Sequence, residues 1–261
     1  MDATKSGFYA DLRLATRLAA AAASVSLSYF QRGLRRWSKP DGSLVTEADI
    51  AVETELRSQL RVARPDDAVL GEEQGQTGAG SRRWILDAID GTVDFAAGNI
   101  GWGTLIALEV DGRIVVSVCD APARKRRYWA TRGGGAFCSD DGAVRALRVT
   151  ATLNLRDART YIPPDRYQPD EQSRRVAAVL IHANRALPPS DHPALQVAAR
   201  GYDVGVCFTG GPWDVAAPSL VVEEAGGRFT DLAGRNDFTT GAGVFSNGHL
   251  HDAILGLVSA A

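Results

Sequence analysis

The chain has 261 residues, which is enough for one large domain or two small ones with a substantial buried core. Its hydrophobic content of 45% and charged content of 23% are ordinary for a globular protein, and a formal net charge of -2 argues against a nucleic-acid surface. The three cysteines are odd in number and far apart in sequence, which predicts a reducing cytoplasm and excludes a disulfide framework. The early apolar run at residues 19–23 is too short for a transmembrane helix, so we expect a soluble, cytoplasmic protein.

Two helices are predicted in the first quarter of the chain. The spacing of Ala and Leu residues predicts a helix from residue 8 to about residue 31. Thr46 has the pattern of an N-cap, with Asp49 three residues later as a weaker version of the capping-box partner. The second helix is therefore expected to begin after Thr46 and to run to about residue 61.

The rest of the chain is predicted to alternate strands with helices. Strands are predicted at residues 68–70, 83–86, 104–110, 113–119, 126–132, 228–232 and 242–247. Asp111-Gly112 lies between two apolar runs, which is a strong signal for a hairpin. Helices are predicted at about 171–183, from Pro212 to Gly226, and from about His249. Helices that alternate with hairpin-connected strands indicate a layered α/β or α+β architecture.

Carboxylates are concentrated where the predicted elements begin or end. The residues concerned are Asp49, Glu72, Glu73, Asp87, Asp90 and Asp214. Oxygen ligands without histidine or cysteine suit Mg²⁺ or Mn²⁺ better than zinc. Taken singly, Asp49 and Asp214 are better explained as helix-start residues, and Glu72-Glu73 as a solvated loop. Asp87 and Asp90 resist such an interpretation, because aspartate is disfavoured at the end of a buried strand. No ligand spacing links the histidines, which are interpreted as surface or loop residues: His182, His192, His249 and His251.

Gly91 and Thr92 follow the two strand-end aspartates and suggest an anion site. If a helix or turn starts here, their backbone N–H groups are available as donors to an anion. The threonine hydroxyl can also orient a water molecule. Metal-binding carboxylates beside an anion-binding turn predict a site for a phosphate ester.

Three motifs together resemble the inositol monophosphatase superfamily, and they cover nearly the whole chain. They are Gly71-Glu72-Glu73, residues 87–92 (DAIDGT), and residues 213–217 (WDVAA) followed by 224–227 (EAGG). Residues 64–73 and 121–137 are most similar to the histidinol-phosphate phosphatases of actinobacterial type. The resemblance implies an α+β fold, the layered αβαβα sandwich of the inositol monophosphatase and fructose-1,6-bisphosphatase type, and usually a homodimer. It implies one domain over residues 1–261, with a metal-binding lobe at 1–150 and a second lobe at 151–261.

The resemblance also implies a metal site and catalytic residues. Two or three Mg²⁺ ions, for which Mn²⁺ can substitute, would be held by Glu72, Asp87, the carbonyl of Ile89, Asp90 and Asp214. Thr92, supported by Asp49 and Glu72, would position and activate the attacking water. The amides of Gly91 and Thr92 would hold the phosphate.

The chain departs from the family pattern mainly on the substrate side. Ala88 replaces the usual proline of the aspartate motif, which removes no ligand. Cys207 stands seven residues before Asp214, where family members often have a glutamate, and a thiol cannot pair with an ammonium group. Arg185 is retained, but the segment after it is rebuilt around Asp191. We therefore expect Arg185, Asp191 and Cys207 to line an altered substrate pocket.

The expected function is hydrolysis of a small polar phosphate monoester with Mg²⁺, with histidinol phosphate as the first candidate. Inositol or another sugar phosphate is one alternative, and the phosphate of a nucleoside or secondary metabolite is another. An alternative of a different class is a catalytically weak, dimeric protein that binds a phosphate metabolite. Neither a nucleic acid nor a membrane is expected as a partner.

Overall fold

The computed structural model describes residues 7–183 and 192–260. Its helices are α1 (Tyr9–Tyr29), α2 (Glu47–Ala63), α3 (Thr92–Ala96), α4 (Glu171–Ala183), α5 (Pro193–Ala198), α6 (Pro212–Glu224) and α7 (His251–Ala260). Its strands are β1 (Arg36–Ser38), β2 (Leu44–Thr46), β3 (Ala68–Gly71), β4 (Gly75–Thr77), β5 (Arg82–Asp90), β6 (Gly103–Val110), β7 (Arg113–Ala121), β8 (Arg126–Thr131), β9 (Gly135–Asp140), β10 (Ala143–Ala146), β11 (Thr160–Tyr161), β12 (Val204–Cys207), β13 (Arg228–Thr230) and β14 (Gly243–Ser246).

The elements form five layers of alternating helices and sheets. An eight-stranded sheet has the order β10-β9-β8-β7-β6-β5-β3-β4, and a four-stranded sheet has the order β11-β12-β14-β13. Helices α1 and α2 cover the outer face of the large sheet, and α5 and α6 lie between the two sheets. Helices α4 and α7 cover the outer face of the small sheet. The predicted αβαβα sandwich is confirmed.

The small sheet shows how alternation of side chains builds two separate cores. Val204, Val206 and Val244 pack with the outer helices α4 and α7. Phe229 and Phe245 belong to the core that contains α5 and α6. Both faces of this sheet are therefore covered, as a layered architecture requires.

Local signals explain why several elements begin and end where they do. The Thr46 backbone N–H donates to Asp49 Oδ2 at 2.9 Å, and the Ala48 N–H donates to Thr46 Oγ1 at 3.2 Å, which confirms the predicted cap of α2. Asp111 and Gly112 have φ angles of 50° and 77°, as the tight turn between β6 and β7 requires. Helix α1 ends at Tyr29, two residues before the predicted end, and Gln31 follows with a φ of 58°.

The interpretation of His251 as a surface or loop residue was wrong. His251 is fully buried, with Nε2 2.9 Å from Thr230 Oγ1 and Nδ1 2.9 Å from Ser246 Oγ. Burial, with a smaller contribution from Arg228, lowers the pKa of the imidazole to about 4, so the ring is neutral near pH 7. The histidine links α7 to β13 and β14.

Across residues 7–183 and 192–260, no helix combines the length and apolar character needed to cross a lipid bilayer.

Candidate metal centre

A cluster of carboxylates lies where β5 ends near the first turn of α6. One oxygen from each of Asp87, Asp90 and Asp214 lies within 4.8 Å of the others. Asp87 is 1% exposed, and its Oδ1 has no hydrogen-bond partner among the described residues. A buried carboxylate oxygen without a donor is costly unless a cation or a proton compensates its charge. The donor set is all oxygen, which fits a hard divalent cation such as Mg²⁺ or Mn²⁺.

A β-bulge brings Asp87 and Asp90 to the same site. Side chains alternate along a regular strand, so residues three apart should face opposite sides of the sheet. Asp87 pairs with Leu105 and Asp90 pairs with Gly103, so three steps on β5 match two steps on β6. The extra residue turns Asp90 back toward Asp87.

Asp214 is fixed by the start of α6. The backbone N–H of Gly211 donates to Asp214 Oδ2 at 2.5 Å, which caps the first turn of the helix. Gly210 approaches the same carboxylate so closely that a Cβ atom there would lie 2.9 Å from Asp214 Oδ2. The two glycines therefore allow the loop to fold tightly against the aspartate.

Burial and mutual repulsion disfavour the charged forms of the cluster. Burial, followed by the charges of Glu72 and Asp90, raises the pKa of Asp87 well above its ordinary value. Burial and the Asp214 charge raise the pKa of Asp90 to about 8, and burial raises the pKa of Asp214 to about 7. Glu72 contributes repulsion to all three carboxyl groups, so it belongs to the same electrostatic site. Such uncompensated negative charge is what a divalent cation would stabilise.

Lys39 lies in this site although it was not among the predicted site residues. Its Nζ is 2.7 Å from Glu72 Oε1 and 2.6 Å from Glu73 Oε1. The lysine is in the turn between β1 and β2. Burial raises the pKa of Glu73 to about 7, and the hydrogen bond and charge of Lys39 partly offset this rise. The signal that could have found it was the lysine at the start of the turn sequence Lys39-Pro40-Asp41-Gly42.

Thr92 and Asp49 are hydrogen-bonded to each other, as their predicted cooperation requires. Thr92 Oγ1 lies 3.0 Å from Asp49 Oδ1 and 3.1 Å from the carbonyl oxygen of Ile89. The second oxygen of Asp49 accepts from the backbone N–H and from the hydroxyl of Thr46, at 2.9 and 2.6 Å. The cap of α2 therefore holds Asp49 in position, and Asp49 in turn orients Thr92.

Gly91 makes the sharp turn between β5 and α3 possible. Its φ is 86°, and a Cβ atom at this position would lie 2.7 Å from the carbonyl oxygen of Gly101. A side chain would meet both the backbone strain and this contact. The role of the Gly91 and Thr92 amides as phosphate donors stays a prediction.

Cys207, which was predicted to line the substrate pocket, and Tyr161, which was not predicted, lie near the carboxylate cluster. Cys207 ends β12, and its thiol pKa is raised by burial and then by the charges of Asp214 and Asp90. Tyr161 on β11 pairs with Gly205 of β12, and burial followed by Cys207 raises the pKa of its phenol. Gly205 and Cys207 are two residues apart on β12, so the side chains of Tyr161 and Cys207 lie on the same face of the small sheet.

Arg185 and Asp191, the other predicted substrate-binding residues, lie outside the described residues. Their roles stay predictions.

Together, the layered fold and the buried carboxylate cluster are those of a phosphate-ester hydrolase. The sequence model of the "Inositol monophosphatase family" matches residues 10–261. The chain belongs to this family, and it is a phosphomonoesterase.

Individual relatives match over almost their full length. A Streptomyces griseus protein named glucose-1-phosphate thymidylyltransferase is 40% identical over 257 residues, covering 95% of this chain and 96% of that protein. A histidinol-phosphatase from Mycobacterium tuberculosis is 40% identical over 250 residues, covering 94% of this chain and 96% of that enzyme. The crystal structure of extragenic suppressor protein suhB from Bartonella henselae superposes with a TM-score of 0.85 at 28% identity, covering 95% of this chain and 98% of that one. The resemblances predicted from the motifs are confirmed.

Proposed function

We propose that the protein hydrolyses a small phosphate monoester with two or three Mg²⁺ ions, for which Mn²⁺ can substitute. The proposed ligands are Glu72, Asp87, the carbonyl of Ile89, Asp90 and Asp214. The observation that carries the proposal is the buried Oδ1 of Asp87, which has no donor among the described residues and lies within a cluster of carboxyl groups of raised pKa. When bound, the ions supply polarisation of the phosphoryl oxygens and neutralise charge on the leaving oxygen.

Thr92 is proposed to position the attacking water and to receive its proton. The Thr92 hydroxyl donates to Asp49, which leaves the Thr92 oxygen free to accept a hydrogen bond from water. As the water oxygen attacks phosphorus, its proton passes to Thr92, which gives its own proton to Asp49. The ester P–O bond breaks, the leaving alkoxide takes a proton from a solvent water, and Asp49 returns its proton to solvent. Burial raises the pKa of Asp49, and this favours proton acceptance. Glu72 is proposed to support the same water, and the Gly91 and Thr92 amides are proposed to hold the phosphate.

Histidinol phosphate is the first substrate candidate, because a relative named histidinol-phosphatase is 40% identical over nearly the whole chain. A second candidate is a phosphate ester with an uncharged or aromatic face. It is favoured by Cys207, a thiol where family members often have a glutamate, and by the nearby phenol of Tyr161. Arg185 and Asp191 are proposed to bind polar groups of either substrate. We also propose a homodimer, which light scattering would test.

A phosphate-release screen tests the proposed activity. Metal-free protein is assayed with and without Mg²⁺ on histidinol phosphate, inositol phosphates, sugar phosphates and nucleotides. Release of phosphate should require Mg²⁺ and should stop in excess chelator. Burial raises the pKa of the Cys207 thiol, and no other described side chain of the site is a credible nucleophile by itself. Full turnover in chelator would contradict the mechanism. A parallel assay of pyrophosphate release from dTTP with glucose 1-phosphate tests the transferase reaction named for the S. griseus relative.

Cys207→Glu should change the substrate preference. A carboxylate at this position can pair with an ammonium or a sugar hydroxyl, so kcat/KM for histidinol and inositol phosphates should rise about tenfold. Activity on the best substrate of the wild-type protein should fall, because a buried carboxylate without a partner is costly. Cys207→Ser, which stays neutral and similar in size, should change neither value strongly. Efficient wild-type turnover of histidinol phosphate that Cys207→Glu does not improve would mean that another residue replaces the family glutamate.

A further inference from the structure

Glu53 is a fully buried acid that lies close to the metal-binding loop but does not belong to the carboxylate cluster. It lies on α2, one helical turn after Asp49. Its Oε2 accepts the backbone N–H of Glu73 at 2.8 Å, and its Oε1 accepts the backbone N–H of Gln74 at 3.1 Å. The carboxylate therefore binds the backbone of the loop that carries Glu72 and Glu73.

Arg57 completes this attachment from the next turn of the same helix. Its Nε donates to Glu53 Oε1 at 2.7 Å. Its Nη1 donates to Thr77 Oγ1 at 3.1 Å, and its Nη2 donates to the carbonyl oxygen of Gly75. Because Gly75 and Thr77 delimit β4, the Glu53–Arg57 pair holds both the loop and the strand that follows it.

Gly71 explains how the carboxylate can reach this position. A Cβ atom at Gly71 would lie 2.3 Å from Glu53 Oε1, so a side chain there would displace the acid. Gly71 pairs with Gly75 across the turn, which leaves a connection of three residues. The glycine of the Gly71-Glu72-Glu73 motif therefore has a physical reason that involves Glu53 and not the metal.

We propose that Glu53 is a positioning residue, which fixes the Glu72–Glu73 loop so that Glu72 faces the carboxylate cluster in a geometry that binds a divalent cation. Both oxygens of Glu53 are already engaged by backbone and arginine donors, so the residue acts through Glu72 and is not itself a ligand. This inference rests on the proposed metal-dependent function.

The isosteric variant Glu53→Gln is a stringent test. A glutamine has one acceptor oxygen, and its NH₂ group would face a peptide N–H or the Arg57 guanidinium, which are also donors. The property to be measured is the Kd for Mn²⁺ of the full chain, by electron paramagnetic resonance without substrate. Loss of a residue that orients a metal ligand costs about 10- to 100-fold in affinity, and this is the increase in Kd that we expect.

Asp203→Asn is the matched control. Asp203 is also buried, accepts the backbone N–H of Arg159 at 2.6 Å, and faces the Arg159 guanidinium. It precedes β12, at the end of that strand opposite Cys207. This variant should melt at a lower temperature but keep the wild-type Kd for Mn²⁺.

The other possible results of these measurements would overturn the positioning role of Glu53. Wild-type affinity in folded Glu53→Gln, or equal weakening in Asp203→Asn, would overturn the positioning role while leaving the proposed function intact. Absence of Mn²⁺ binding in the wild-type protein would overturn both. If Glu53→Gln does not fold by circular dichroism, Glu53→Asp replaces it. That variant keeps the charge, but its side chain is one methylene shorter and cannot hold both loop N–H groups in the same geometry, so an unchanged Kd there would also overturn the inference.

Discussion

Replacing Asp90 with Asn is expected to lower kcat for phosphate release by roughly 10³-fold or more, because cation stabilisation of transition-state charge contributes several kcal/mol. Asp214→Asn should behave alike, since its amide oxygen can still accept from Gly211 and preserve the start of α6. The fold should stay intact in both variants. Steady-state rates and circular dichroism measure the two properties separately. Near-normal turnover in either variant would remove that residue from the metal site.

The stability of the metal-free protein gives an independent readout of the same carboxylate. Burial and repulsion raise the pKa of Asp90 to about 8 from an ordinary value of 3.8. Between these values the folded state binds more protons than the unfolded state, so the free energy of unfolding falls as the pH rises. Asp90→Asn is neutral at every pH, so it should melt above wild type at pH 8 in chelator and lose this advantage near pH 4. Asp141→Asn, at an exposed position, should change neither rate nor melting temperature.

The long elements were predictable because they carry strong local signals. Helix α2 has both an N-cap residue, Thr46, and its partner Asp49 in sequence. The β6–β7 hairpin has Asp111-Gly112 between two extended apolar runs. In these cases the hydrophobic period and the turn chemistry indicate the same structure, which is the situation in which sequence patterns are informative.

The proximity of the two strand-end aspartates could not be predicted from the local sequence pattern. Their spacing of three would place them on opposite faces of a regular strand. The bulge that brings Asp87 and Asp90 together is not visible in the sequence, because Ala88 and Ile89 are apolar residue types that also suit a regular buried strand. The prediction that both aspartates belong to one metal site came from the resemblance to a known family, and the periodicity alone would not have made it.

Residues on very short elements were missed for a different reason. Lys39 reaches Glu72 across 33 positions of sequence, from a hairpin whose strands have three residues each. Tyr161 lies on a strand of two residues. Such strands are too short to show a period, and their contacts are set by the packing of the layers. Side chains brought into a site in this way leave no periodic pattern in the sequence.

Thr92→Ala is expected to reduce kcat by about 10²- to 10⁴-fold, the usual cost of losing one positioned proton-transfer partner. Binding of Mn²⁺ should stay unchanged, because Thr92 is proposed to contribute no side-chain ligand to the metal. Inhibition by inorganic phosphate should also stay unchanged, because the anion is proposed to be held by backbone amides. Thr92→Ser keeps the hydroxyl and should retain most of the activity.

The hydrogen bond between Thr92 and Asp49 makes the prediction sharper. If the two residues act as one proton relay, Asp49→Asn in the Thr92→Ala background should add little to the loss already present. Independent roles would instead give multiplied losses. Asp49→Asn keeps one oxygen for the cap at Thr46, so circular dichroism should show that α2 is preserved. If Thr92→Ala raises KM and the inhibition constant for phosphate while kcat stays normal, the hydroxyl binds substrate and does not activate water.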